Sequence, residues 1–211
     1  MLDNFSFKDF KNQLNENKNL KITTYSIGAI LLATLLFFSY RQFIWGPSNE
    51  KSLDSYWHGL NYASKDSVDL AITELEPAVK KFDGKDGGEI AQFLLARQYM
   101  TKGDFTKALK ELEGVSLDDT YLSVYTIGLK GDCNSELKKY DQALELYIEA
   151  AELNENEKTS PEYLFKAGIV AEKIKNKEKA NELYTRIKSN FLTFSNNKAI
   201  DKYIARTSTQ Q

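Results

Sequence analysis

The sequence predicts an all-α chain. One apolar helix long enough to cross a bilayer is followed by a solenoid of about four helical hairpins and a C-terminal capping helix. Three observations predict it. Ile22 to Tyr40 are nineteen consecutive uncharged residues between Lys21 and Arg41. After them, β-branched alternation is nowhere sustained. A spacing of about 36 residues then recurs four times between Gly59 and Ile187.

The apolar stretch comes first. At about 1.5 Å of rise per helical residue it spans roughly 28 Å, close to the roughly 30 Å hydrocarbon core of a bilayer. Ile27, Ile30, Leu31, Leu32, Leu35, Leu36, Phe37 and Phe38 cover every side of the helix, whereas a core helix of a soluble domain is apolar on one side. Tyr25, Tyr40 and Trp45 suit the two interfaces, and Arg41 suits the headgroups. The exit, Arg41-Gln42-Phe43-Ile44-Trp45-Gly46-Pro47, lacks the small-residue cleavage site of a signal peptide, and no cysteine stands near for a lipid anchor.

Flanking charge orients the segment. Lys8, Lys11, Lys18 and Lys21 precede it, against Arg41 and Lys51 beyond it, so the positive-inside rule predicts a cytoplasmic amino end and an outward domain. The expected division is a cytoplasmic segment 1–21, a transmembrane helix 22–45, a linker 46–51, a repeat domain 52–206 and a frayed tail 207–211. Within the first segment, Ser6 and Asp9 are spaced like a capping box, and Phe7, Phe10 and Leu14 share a face.

From Ser48 onward there are 23 Lys and Arg against 27 Asp and Glu, without the basic excess of a nucleic-acid binder. Nucleic acid is therefore not an expected partner. Cys133 is the single cysteine, which excludes an internal disulfide and a cysteine-built zinc site; it reads as a small buried residue. His58 is the single histidine, so no histidine pair exists for metal binding or acid–base relay. No catalytic residue, metal or cofactor is assigned. The three prolines, Pro47, Pro77 and Pro161, are expected at helix starts or breaks.

The repeat is carried by small residues at Gly59, Ala96, Gly131 and Gly168, in steps of 37, 35 and 37. Twelve residues after each stands an alanine, Ala71, Ala108, Ala143 and Ala180. One helical turn further stands a large residue, Leu75, Leu112, Tyr147 and Tyr184. Ala78, Val115, Ala150 and Ile187 close the series. Small residues let two antiparallel helices approach, and large ones fill the space toward the next hairpin. Ser160-Pro161 suits the start of the fourth unit; Gly84, Gly87 and Gly88 suit a loop between units one and two. Ser195, Ala199, Ile200, Tyr203 and Ile204 suit a closing helix.

At these positions the chain resembles the tetratricopeptide repeat family. The second unit carries the resemblance best, through Leu95-Ala96, Tyr99, Gly103-Asp104-Phe105, Ala108-Leu109 and Leu112. The third follows with Gly131, Lys138-Lys139-Tyr140-Asp141, Ala143-Leu144 and Ala150-Ala151. The first and fourth lack the Gly-Asp turn. A helical solenoid binds partners along the face formed by the first helix of each hairpin. The face opposite the small packing residues is expected to comprise Tyr56 and Leu60, then Phe93, Arg97 and Met100, then Tyr125 and Asp132, then Phe165, Ile169 and Lys173. The sequence leaves open whether this groove is free or filled by the protein itself.

The whole architecture is similar to that of YfgM-type ancillary subunits of the bacterial SecYEG translocon. The best matches are Phe10-Lys11-Asn12-Gln13-Leu14-Asn15-Glu16-Asn17 before the span and Tyr40-Arg41-Gln42-Phe43-Ile44-Trp45 after it. The resemblance implies a single-pass inner-membrane protein with a periplasmic domain. It would stand beside SecYEG and a membrane-anchored periplasmic chaperone of the prolyl-isomerase-like type, and would contact exported chains; no cofactor is implied. The alternative is a periplasmic organiser of envelope assembly or secretion with one fixed protein partner.

Overall fold

The computed structural model describes residues 16–116 and 119–208. The chain forms two units, Met1–Glu50 and Lys51–Gln211, with helices and no strand among the described residues. The segment bearing Phe7, Phe10 and Leu14 lies outside the described residues, as does the expected tail beyond Ser208.

In the first unit, helix α1 (Lys18–Tyr40) starts at Asn17, whose side chain accepts hydrogen bonds from the Asn19 and Leu20 amides at 3.0 and 3.1 Å. No residue of α1 is buried. The hydroxyls of Thr23, Thr24 and Thr34 donate to the carbonyls of Asn19, Leu20 and Leu31 at 2.8–2.9 Å, so these three polar side chains are satisfied within the helix itself. A π-helical turn, Arg41–Trp45, follows, with the Arg41 guanidinium 5.2 Å from the Trp45 ring centroid. Pro47 has no N–H for the Phe43 carbonyl, and the Gly46 N–H reaches back five residues to Arg41 instead. The stretch 46–51, expected as a linker, is helical: it opens α2 (Gly46–Leu53), whose first turn tolerates Pro47.

The second unit stacks four antiparallel hairpins, α3 (Trp57–Ala63) with α4 (Val68–Lys81), α5 (Asp86–Thr101) with α6 (Phe105–Glu113), α7 (Leu122–Glu136) with α8 (Tyr140–Glu152), and α9 (Ser160–Lys173) with α10 (Lys177–Asn190). Each helix packs on the next in sequence, the pattern of an α-solenoid. The predicted small residues do the predicted work. A Cβ added to Gly131 would stand 2.7 Å from the Tyr147 ring, and one added to Gly168 would stand 2.4 Å from Tyr184. The large partner therefore lies sixteen residues after the small one, across the hairpin.

The hairpin turns obey the same register. Asp66, Gly103, Lys138 and Lys175 have φ of 55, 79, 62 and 65°, and each lies seven residues after its packing residue. Each turn closes with a bond from the next amide to a carbonyl five residues back: Ser67 to Tyr62, Asp104 to Tyr99, Lys139 to Asn134 and Asn176 to Ala171, at 2.8–3.0 Å. This is the Schellman arrangement, which favours glycine at the left-handed position. Only the second hairpin has that glycine, yet all four turns are built alike.

Four local expectations are corrected. Gly87 and Gly88 are not loop residues but lie buried in the first turn of α5. The Gly87 amide donates to Ser52 Oγ at 3.0 Å, and a Cβ there would stand 2.0 Å from the Ser52 carbonyl oxygen, so glycine permits a close backbone approach. Pro77 neither starts nor breaks a helix; it sits exposed inside α4, where it forfeits the bond to the Thr73 carbonyl. The closing helix is two helices, α11 (Leu192–Lys198) and α12 (Ile200–Thr207), broken at Ala199 with φ 53°. Thr207, expected in the tail, ends α12 buried and takes a 3.1 Å bond from the Asn181 amide.

The core has two clusters. One gathers Leu75, Leu95, Ala96, Leu112 and Cys133 from the first three hairpins. The other gathers Tyr147, Leu164, Leu183, Tyr184, Ile187 and Ile200 from the last two and the closing helices. Tyr125 packs against both. Full burial of each leucine or isoleucine contributes about 1.5–3 kcal/mol.

Candidate protein-binding face

The four first helices, α3, α5, α7 and α9, are in one register, so rows of equivalent residues run along the solenoid. At about 100° per residue, positions two before and one after the packing residue point about 160° and 100° away from it. With positions six before and five after, they make one face. In order it carries Trp57, Leu60 and Ser64, then Ile90, Leu94, Arg97 and Thr101, then Tyr125, Leu129, Asp132 and Glu136, then Glu162, Lys166, Ile169 and Lys173. The early part is mainly apolar and the late part mainly charged.

Six predicted residues, Leu60, Arg97, Tyr125, Asp132, Ile169 and Lys173, stand in these rows. The other four do not. Tyr56, Phe93 and Phe165 precede the packing residue by three, and Met100 follows it by four, which turns them only about 60° and 40° from it. Phe93 is 9% exposed and belongs to the core. Tyr56 is half-buried and stacks on Trp57 at 5.1 Å; Met100 packs against the first cluster. Phe165 is covered by Tyr203 of α12, edge-on at 4.9 Å, and by Phe194 at 6.2 Å. At the fourth unit the aromatic surface is thus filled by the protein's own carboxyl end. The row two before the packing residue, with exposed Trp57 and buried Leu94, was missing from the expected set. Extending the same four- and three-residue steps would have found it.

Several charged groups here hold the fold. Asp132 accepts from Lys166 Nζ at 2.7 and 2.9 Å and from the Tyr147 hydroxyl at 2.7 Å. Lys166 stands 5.6 and 5.5 Å over the rings of Tyr147 and Tyr163. Lys173 stands 4.6 Å over Tyr140. Glu172 accepts from the Tyr184 hydroxyl and from Arg206, both at 2.7 Å. Burial first, and then the bonded carboxylates, push the hydroxyls of Tyr147 and Tyr184 far above the ordinary phenol range. Burial, with Asp132 adding its charge, pushes the Cys133 thiol up to about 12. Neither a phenolate nor a thiolate stands ready as a nucleophile at neutral pH. Among the described residues no group of His, Cys, Asp and Glu is placed to hold a metal.

Where the first two hairpins meet, Leu60 and Ser64 of the α3 side face Leu94, Arg97, Gln98 and Thr101 of α5 across a cleft of about 250 Å³. Leu94 is 7% and Gln98 8% exposed, whereas Arg97 stands open to solvent. Asp66 and Val68 edge the cleft at the turn.

Comparison with known proteins agrees with this geometry. Residues 162–191 match the Tetratricopeptide repeat family. Among solved structures the chain is similar to MamA, at 21% identity and a TM-score of 0.54, over 71% of this chain and 91% of that one. It is also similar to PilF of Pseudomonas aeruginosa, at 18% identity and a TM-score of 0.54, over 77% and 79%. A putative kinesin light chain of Podospora anserina with nearly identical TPR-like repeats gives 16% identity and a TM-score of 0.58, over 76% and 86%. No curated protein sequence matches. The fold is that of a TPR-like solenoid, an architecture typically used as a non-catalytic scaffold for protein–protein interaction.

Proposed function

We propose that this protein is a membrane-tethered scaffold working beside the Sec translocon, with 1–21 in the cytoplasm, 22–45 in the inner membrane and 52–206 in the periplasm. The observation that carries the reading is the pairing of an apolar helix that buries none of its residues with a TPR-like repeat domain whose four hairpins share one register. Four lysines before the span against Arg41 and Lys51 after it support the orientation. The YfgM-like flanks support the place of work. Confinement at the export site raises effective concentration toward about the millimolar range, so weak contacts to exported chains or to a prolyl-isomerase-like chaperone suffice.

The test is purification from native membranes in mild detergent. Enrichment of SecYEG and a membrane-anchored periplasmic chaperone is expected, and repeated absence of both overturns the reading. Extraction of the protein by alkaline carbonate, or a carboxyl-terminal tag accessible only from the cytoplasm, overturns the topology. Photo-crosslinking probes belong at Arg97 and Ile169, which are exposed, rather than at Phe93, which is not. Adducts with many exported chains support the translocon role; one fixed envelope partner points to an organiser of envelope assembly or secretion.

A further inference from the structure

We infer that the amino-terminal end of the solenoid is a self-association surface, on which a second copy of this chain docks as a two-fold pair held together by the membrane. The inference rests on the membrane tether of the proposed function but not on its place beside the translocon.

The repeat register shows which positions face the preceding hairpin. In the first helices it is the position two before the packing residue. Leu94 meets Leu60 and Ser64 of the first hairpin, Leu129 packs on the early cluster, and Lys166 bonds Asp132 of the third hairpin. In the second helices the positions one before, three after and six after the repeat alanine do the same. Gln142, Leu146 and Glu149 line a groove with Leu109 and Glu113 of α6, and Arg186 pairs with Glu152 of α8.

In the first hairpin these positions are Trp57, Leu70, Glu74 and Pro77, with no hairpin before them. Trp57 is 54% and Leu70 53% exposed, against 7% for Leu94. The opposite end is closed, because Tyr203 and Phe194 cover Phe165. A terminal repeat normally carries a polar outer face. An indole and a leucine left open at one end only therefore mark a surface that is covered in use.

Two features identify the occupant as a second copy. The first is charge. Leu70, Glu74, Pro77 and Lys81 lie at helical spacing and make one exposed row along α4. Neither Glu74 nor Lys81 has an ion-pair partner among the described residues. A two-fold contact must be self-complementary. Run antiparallel to its copy with Pro77 near the axis, α4 sets Glu74 against the partner's Lys81, and the symmetry repeats the pair. The second feature is size. With 14 residues α4 is about 21 Å long, so one hairpin end offers roughly 400 Å², half of the roughly 800 Å² per partner of a stable soluble complex. Such a contact suits chains confined to one membrane. The chain arrives from the span through α2, which ends at Leu53, four residues before Trp57, so both copies carry this end at the tethered side.

The experiment is disulfide crosslinking of the full-length protein in native membranes, with Cys133 replaced by alanine and Pro77→Cys as the single thiol. Oxidation is expected to give a species of twice the chain mass, whereas Glu145→Cys, exposed on α8, gives none. Glu74→Lys should reduce the dimer about tenfold, the scale of two exposed ion pairs turned repulsive. Lys81→Glu should do the same, and the two together should restore it. Trp57→Ser should reduce it as well. All these side chains are exposed, and helical circular dichroism of the purified variants verifies folding. No dimer from Pro77→Cys, equal crosslinking from Glu145→Cys, an adduct with a different protein instead, or a double charge exchange as weak as either single variant overturns the inference. In a Trp45→Phe background, quenching of Trp57 by brominated phospholipid that persists in Glu74→Lys assigns the end to the bilayer and overturns it too. Absence of SecYEG from the copurification leaves the dimer untouched, so the two readings fail separately.

Discussion

The four left-handed turns allow a stability prediction of defined sign. Lys138 occupies in the third unit the position that Gly103 occupies in the second, and a side chain in that conformation costs about 1–2 kcal/mol. Glycine returns about 0.5–1 kcal/mol of this as extra freedom of the unfolded chain, so Lys138→Gly should stabilise the protein by about 0.5–1 kcal/mol. The adjacent N-cap is also suboptimal. Asp104 accepts the Lys107 amide at 3.1 Å and Asn176 the Lys179 amide at 3.0 Å, whereas Lys139 has no side-chain acceptor for its helix. Lys139→Asp should add about 1 kcal/mol. For a protein of this size the pair should raise the melting temperature by about 5 °C, followed by circular dichroism of the full chain in detergent. The reciprocal control is Gly103→Lys. A Cβ at Gly103 meets nothing within 4 Å, so any loss of stability reports backbone conformation alone. Neutral behaviour of both Lys138→Gly and Gly103→Lys would refute the reasoning.

Three further outcomes are expected. Gly168→Ala drives a Cβ to 2.4 Å from the fully buried Tyr184 ring; overpacking of about 1–3 kcal/mol should exceed the gain of about 1 kcal/mol in helix propensity. Adding Tyr184→Leu recreates the Ala96 and Leu112 pairing of the second unit, and a double-mutant cycle by urea unfolding should show favourable coupling. Asp132→Ala leaves the Tyr147 hydroxyl and Lys166 without their acceptor and should cost about 1–3 kcal/mol by the same assay. Cys133 should resist iodoacetamide in the folded protein and react on unfolding. Its thiol is raised from an ordinary 9.0 to about 12, so ionisation favours the unfolded chain between those values. Its contribution, intact below pH 9, should fall with rising pH by up to about 1.4 kcal/mol per unit, and Cys133→Ala should flatten that slope.

The fold class was legible because it rests on periodic signals: an uninterrupted apolar run, and small and large residues sixteen apart in four registers. The turns were less legible. Lys138 and Lys175 carry no sign of a left-handed backbone, since the packing of two helices imposes it on whatever residue falls seven after the packing position. Gly87 and Gly88 read as loop because glycine marks both turns and close approaches, and only the Ser52 backbone distinguishes them here. Ala199 offers no signal at all: alanine favours the helix it interrupts. The candidate face failed where a residue was placed three before the packing position and treated as opposite to it. Phe93 and Phe165 point toward neighbouring helices, and the second depends on α12, a contact that distant sequence does not reveal.

The divided core has a mechanical consequence. With one apolar cluster under the early hairpins and another under the later ones, bridged by Tyr125, bending between halves disturbs fewer buried contacts than bending within either. The domain should behave as two stiff blocks with a compliant seam at α7. Amide exchange would then show two protection levels along the chain, and a long ligand spanning the seam would adjust the curvature of the array rather than meet a rigid mould.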